Sequence, residues 1–328
     1  MWIADNWKDY EVLDTSGGEK LERWGNYILV RPDPQVIWNT PHNNKGWKNK
    51  NGHYHRSAKG GGEWEFFHLP DEWSIQYPLP CLAEQPLCPT DSSSYPAVSI
   101  SCPTGTRGPA ATYAKALTFH LKPFSFKHTG LFPEQAVNWD WFSGLIHDTQ
   151  RHVPGRQPKI LNLFAYTGGA TLAAAAAGAS VTHVDASKGM VGWAKENAVS
   201  SGLGDASIRW LVDDCVKFVE REIRRGNKYD GIIMDPPSYG RGPKGEIWKI
   251  EDSIWPFLEL TTHILSEDAL FFLINSYTTG LQPAVLSYMM NTAIVKRFGG
   301  RVEADEIGLP VKESGLILPC GASGRWCS

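Results

Sequence analysis

Five consecutive residues, Asp235-Pro236-Pro237-Ser238-Tyr239, bring together a carboxylate, two rigid imino acids, a hydroxyl and an aromatic ring. They follow the apolar run Tyr229 to Met234, which reads as a buried strand. Proline lacks the backbone N–H that a neighbouring strand needs, so two in succession force the chain out of the sheet. In open α/β sheets, ligands bind at that carboxyl-terminal edge. Asp235 and the Pro236 carbonyl are thus placed to accept hydrogen bonds from an amino group, and Tyr239 to stack on a flat ring. The plain alternative is a rigid strand exit without chemistry.

A second constellation lies upstream. Lys159 to Ala179 reads as a strand, a glycine turn and an alanine-rich helix. Gly168 and Gly169 let the backbone approach a ligand closely and open a helix whose N-terminus favours negative charge. The spacing is not G-x-G-x-x-G, because Phe164, Ala165 and Tyr166 stand where that fingerprint wants glycines, which disfavours a pyrophosphate cradle. Asp185 ends the next strand, where a carboxylate can accept from ribose hydroxyls. Asp213 and Asp214 end the third strand. One of them either accepts from an adenine amino group or caps the following helix, and Asp214, directly before Cys215, is the favoured adenine contact. Carboxylates at the ends of strands two, three and four fit S-adenosylmethionine better than a nicotinamide cofactor.

The elements that position these groups alternate. Strands are expected at 159–164, 180–184, 207–212, 229–234 and 269–275, with a final pair at 301–307 and 315–319. Helices are expected at 170–177, 189–200, 214–225, 252–265 and 282–297, with another from about Glu134 to Ile146. Such alternation predicts an α/β fold with a parallel sheet wound by right-handed crossovers. Residues 1–77 read as a smaller β-rich N-terminal domain holding half of the fourteen tryptophans. Within it, 46–62 reads as a basic loop with interleaved aromatics, either a solvated hairpin loop or an RNA-backbone contact. Residues 78–116 are rich in Pro, Ser and Thr, have no periodicity, and read as a loop or insertion.

Composition narrows the classes. The net charge of −3 provides no global basic signal, so a nucleic-acid partner needs a local patch. Arg241 and Lys249, after the DPPSY motif, are candidates for phosphate contact. No apolar stretch has transmembrane length, and the N-terminus lacks a signal-peptide core, so a cytoplasmic protein without membrane contact is expected. The six cysteines form no CxxC pair and no zinc-finger spacing with histidine, so no metal is expected.

At KHTGLFPEQ (127–135), NLFAYTGGAT (162–171), VDASKGMVGWAKENA (184–198), DDCVKF (213–218) and DPPSYG (235–240), the chain resembles the S-adenosylmethionine-dependent methyltransferases that include the ribosomal RNA large-subunit methyltransferases I and K. The resemblance covers 117–328. It implies a Rossmann-like, seven-stranded class I methyltransferase sheet whose last strand runs antiparallel. It further implies cofactor contacts from Phe164, Ala165, Tyr166, Thr167, Gly168, Gly169, Asp185, Ala186, Asp213, Asp214 and Asp235, with the loop carrying Lys127, Thr129 and Gln135 closing over the methionine end. Ser238 and Asn275 join Arg241 and Lys249 as expected substrate contacts, and Asp235, Pro236 and Tyr239 form the catalytic set.

Methylation of cytosine carbon 5 requires a cysteine thiolate that adds to the ring. Methyltransferase I carries that cysteine after its fifth strand, where this chain has Asn275, Ser276 and Tyr277. Direct in-line transfer to a base nitrogen of RNA, ribosomal RNA first, is therefore expected. The alternatives are a methyltransferase for a small molecule or protein, and a non-catalytic RNA-binding protein that keeps the fold.

Overall fold

The computed structural model describes residues 1–57, 61–80, 116–124, 127–242, 245–278 and 280–328. Most of the expected insertion, 81–115, and Lys244 in the loop after DPPSY lie outside the described residues.

An eight-stranded sheet forms the larger part. Its strands are β1 (Trp2–Ile3), β9 (Lys159–Leu163), β10 (Ser180–Asp185), β11 (Ile208–Val212), β12 (Gly231–Met234), β15 (Phe271–Ser276), β16 (Arg301–Pro310) and β17 (Ile317–Cys327). They lie in the order β1-β16-β17-β15-β12-β9-β10-β11. Every pairing is parallel except those of β17, which runs antiparallel to β15 and β16. The seven expected strands are present, and the N-terminus adds an eighth along β16. The last strand is longer than expected. Gly321, Gly324 and Cys320 obscure its alternation in sequence, yet β16 pairs along nearly all of it and β15 along Ala322 to Cys327.

Helices cover both faces, which is why β12 and β15 are buried throughout. On one face α1 (Ala136–His152) and α2 (Gly169–Ala176) pack through Phe142, Ile146 and the alanine run. On the other, α4 (Cys215–Arg225), α5 (Ile250–Thr262) and α6 (Pro283–Met290) bury Phe218, Phe257 and Leu286. The helix α3 (Lys188–Ser200) follows β10, capped by Ser187. The helix expected over 282–297 changes to a π-turn at Asn291–Val295.

A five-stranded sheet of β2 (Tyr10–Ser16), β3 (Glu19–Trp24), β4 (Tyr27–Pro32), β5 (Gly52–Arg56) and β6 (Gly62–Phe66) forms the N-terminal part. The basic stretch 46–62 is not one open loop. Part of it is β5, whose His53 and His55 rings lie 3.9 Å apart and bond to Glu19 and Glu65. Strands β7 (Trp73–Tyr77) and β8 (Leu117–Leu121) pair antiparallel beside α3. The short β13 (Tyr239–Arg241) and β14 (Ile247–Lys249) form a hairpin after the DPPSY exit.

Candidate active site

The sheet order reverses at β9, whose neighbours β10 and β12 lead away in opposite directions. That switch point opens a crevice at the carboxyl ends of the strands. It holds a cleft of about 580 Å³ lined by Phe164, Tyr166, Asp185, Ala186, Ser187, Asp214, Cys215, Asp235, Pro236 and Arg241, among others.

After β9 the chain turns sharply. Phe164 and Tyr166 adopt left-handed φ values of 55° and 51°, and Gly168 has φ 88°. Non-glycine residues pay strain in that region, and such strain clusters at ligand sites. Asp185 fixes the turn, since its carboxylate accepts from the N–H groups of Tyr166 and Ser187, both at 2.8 Å. Each carboxylate oxygen keeps further acceptor capacity. The Phe164 ring packs against Trp248 and Phe257, and its N–H donates to Cys215 Sγ. The glycines serve packing more than ligand approach: a Cβ on Gly169 would lie 2.6 Å from Trp139, and one on Gly168 would meet Ala194 at 3.0 Å.

Asp213 and Asp214 separate in role. Asp214 caps α4, accepting from Lys217 N–H at 2.9 Å, and also lines the cleft. Asp213 accepts from the Asp214 N–H and pairs with Arg221, without lining the cleft.

The 127–135 loop divides too. Gly130 accepts from Thr167 Oγ1, tying the loop to the β9 turn. Gln135 donates to the Tyr277 hydroxyl at 2.7 Å, and its carbonyl accepts from Asn138. Thr129 is fully buried, and its hydroxyl has no hydrogen-bond partner. Lys127 turns away and donates to the Pro32 carbonyl. Burial and the neighbouring Lys20 push its ammonium down to about 8. Ala165, Thr167, Gly169 and Asn275 line a narrow recess behind the cleft. Asn275 is locked there, accepting from Asn138 and Ser323.

On the opposite wall, the Asp235 side chain borders both cleft and recess and has no hydrogen-bond or ion-pair partner among the described residues. Burial, and then the charge of Glu134, push its carboxyl up to about 7. Pro236 is buried beside it, and the Pro237 carbonyl accepts from Trp248 Nε1. Tyr239 does not enter the cleft. Its pairing with Lys249 in the β13–β14 hairpin leaves it 53% exposed, so it is not the stacking ring of the cleft. Ser238 shares a hydrogen bond with Thr278, and Lys249 is exposed at the start of α5. The aromatic walls are instead Phe132, Phe164, Tyr166, Trp248 and Tyr277. Phe132, inside the 127–135 stretch, and Trp248, on β14 after DPPSY, carry no sequence signal that marks them as walls.

Two thiols adjoin the site. Cys215 is in the cleft, and Cys320 lines a neighbouring cavity with Tyr277. Burial raises the pKa of both well above the usual thiol value.

A mostly apolar cleft at a switch point, with a free carboxyl on one side and strand-end carboxylates on the other, suits a group-transfer enzyme that binds a nucleoside-containing donor. Residues 112–279 match the S-adenosylmethionine-dependent methyltransferase family, and the chain belongs to it. A SAM-dependent methyltransferase from Agrobacterium tumefaciens is 33% identical, covering 98% of this chain and 91% of that one, with a TM-score of 0.80. SMU.776, a candidate methyltransferase complexed with SAH, shares the fold at 17% identity and a TM-score of 0.63, over 98% of this chain and 76% of its own. Ribosomal RNA large subunit methyltransferase K/L of Shewanella frigidimarina is 34% identical over 138 residues, 40% of this chain but only 17% of that relative. The protein is thus a methyltransferase with S-adenosylmethionine as cofactor. The cleft has a volume within the range of about 300–1,000 Å³ usual for small-molecule sites. No helix among the described residues is long and apolar enough to cross a membrane.

Proposed function

We propose that this protein methylates a nitrogen of an RNA base in the cytoplasm, with ribosomal RNA as acceptor and no covalent enzyme–base intermediate. The observation that carries the reading is the unpartnered Asp235 carboxyl at the Pro-Pro exit, facing the cleft. The ribosomal acceptor is supported by the relatives named for large-subunit RNA.

In this reading Asp185 holds the cofactor's ribose, Ala186, Asp214 and Cys215 border its adenine, and Phe164 to Gly169 cradle the methionine end, with Thr129 and Gln135 steadying the cover. Bound S-adenosylmethionine supplies a methyl group on a positively charged sulfur. Asp235 and the Pro236 carbonyl accept from the base amino group, turning the nitrogen lone pair toward the cleft, and Asp235 takes the displaced proton. Phe132 and Tyr277 offer the flat walls, while Arg241 at the rim meets phosphate. With cofactor and base seated against it, the aromatic lining excludes water from the reacting atoms. Carbon-5 chemistry needs a thiolate, and the buried Cys215 and Cys320 are held protonated.

Asp235→Asn keeps the shape and loses the proton acceptor. Its kcat should fall by about 10²–10⁴-fold, while calorimetric affinity for S-adenosylmethionine stays near wild type. Loss of cofactor binding in the same variant would make Asp235 a structural residue. Mass spectrometry of ribosomal RNA nucleosides from a deletion strain and its parent should show one missing methylated base. An unchanged profile moves the acceptor to another molecule.

A further inference from the structure

A second cavity, of about 260 Å³, lies where the N-terminal sheet meets the loop before α1. It shares His128, Phe132 and Tyr277 with the cleft. Its remaining wall carries Lys20, Arg31 and Asp33 from the N-terminal sheet and Glu134 from the loop.

The cations there are already engaged, and Lys127, which also lines the cavity, donates to the Pro32 carbonyl. Arg31 donates to both Glu22 oxygens, at 2.6 and 2.8 Å, and to the Lys127 carbonyl at 2.9 Å. Lys20 lies 3.3 Å from Asp33 and 3.6 Å from Glu22. Glu134 differs. It is 6% exposed, and its carboxyl accepts only from its own backbone N–H, with no hydrogen bond or ion pair to another residue among the described residues. A carboxylate held by one local N–H keeps acceptor capacity on its oxygens, and here that capacity faces the cavity. Burial raises its pKa above the usual carboxylate value.

Position links this carboxyl to the methyl-transfer site. Glu134 lines only the second cavity and Asp235 only the cleft and its recess, while Tyr277 lines both cavity and cleft. Glu134 and Asp235 both raise the pKa of the Tyr277 phenol, so both lie close to that ring. Glu134 is absent from the cleft that takes the cofactor, which argues against a role in holding it.

We propose that the second cavity seats the far edge of the target base, with Glu134 accepting hydrogen bonds from its N–H donors. This rests on the RNA-base reading and narrows it. Asp235 holds the nitrogen that receives the methyl, and Glu134 reads a second donor edge. A base presenting only acceptors to Glu134 sets oxygen or nitrogen lone pairs against a carboxylate and is rejected, because a buried acceptor left unpaired discriminates strongly. Glu134 is thus a specificity-determining residue contributed from the boundary between the two sheets.

The test uses the full chain, ribosomal RNA from the deletion strain as acceptor and S-adenosylmethionine carrying a tritiated methyl group. Glu134→Gln keeps the shape and replaces one acceptor oxygen by a donor. It should lower kcat/KM for RNA by about 30-fold, from the loss of a charged hydrogen bond. Cofactor affinity by calorimetry and the melting temperature should not fall. Glu134→Asp, which retains the carboxylate, should recover part of the loss. A Glu134→Gln enzyme as active as wild type overturns the inference, as does a loss of cofactor affinity in step with activity. Wild-type enzyme that labels no RNA fails the underlying reading and takes this one with it.

Discussion

At the scale of residues, the site depends on which carboxyls are satisfied by their own chain. Asp213 is used by Arg221 and the α4 turn, and Asp214 is half committed as a cap. Asp185 steadies the β9 turn and retains acceptor capacity. Asp235 has no partner, and its carboxyl sits at about 7 through burial and then the nearby Glu134. The sign for catalysis follows. A proton acceptor must be ionised, so kcat/KM should rise with pH through an acid limb near 7 and level above it. Because Glu134 contributes to the shift, Glu134→Gln should move that limb to lower pH. Rate profiles of the two proteins check both points, and a wild-type limb near the ordinary carboxylate range would remove Asp235 from the proton-accepting role.

At the scale of elements, the loop before α1 is the part that must be held still. Gly130 has φ +100°, and a Cβ there would lie 2.3 Å from the Trp193 ring, which is itself fixed by a hydrogen bond to the His120 carbonyl. Gly130→Ala therefore combines backbone strain with a collision against a side chain that cannot swing away. The expected loss is about 1–3 kcal/mol, read as a lower denaturant midpoint with an unchanged slope. Because Thr167 donates to Gly130, cofactor affinity should weaken as well. An alanine variant with wild-type midpoint would show that the loop relaxes freely. The β13–β14 hairpin shows the opposite case. It carries Tyr239 and Lys249 outward by its own pairing, whatever chemistry the preceding Asp235 performs.

At the scale of the whole molecule, the N-terminal residues are stitched to the methyltransferase sheet. Strand β1 extends that sheet, and Val12 and Leu13 accept from the N–H groups of Lys312 and Glu313. Trp7 packs on Tyr77 at 4.6 Å and on Trp139 at 6.1 Å, while Asn6 and Tyr77 both donate to Asp140. We propose that 1–77 and 117–328, which share the β1–β16 and β7–β8 pairings, depend on each other for folding. A fragment of 117–328 exposes Trp139, Phe119 and the β16 edge, surfaces that favour self-association. It should elute as aggregate and unfold without cooperativity by near-ultraviolet circular dichroism. A monomeric fragment with a sharp transition would show that the larger sheet stands alone.

The order of strands and helices, the strand-end positions of Asp185, Asp214 and Asp235, and the turn at 164–169 were legible in the chain, because hydrophobic period and proline or glycine chemistry are local. The local code also suggested reasons that tertiary packing replaced. Gly168 and Gly169 look made for a ligand, yet Ala194 and Trp139 stand where their side chains would be. Tyr239 looks made to stack, yet its hairpin turns it out. The eighth strand, the length of β17 and the junction that buries Glu134 beside the N-terminal sheet join residues far apart in sequence. No short window holds both sides of such contacts. The sequence determined that a methyltransferase site forms at the edge of a parallel sheet. Only tertiary packing, which brings Glu134 and Tyr277 from separate loops close to Asp235, decided which side chains wall it.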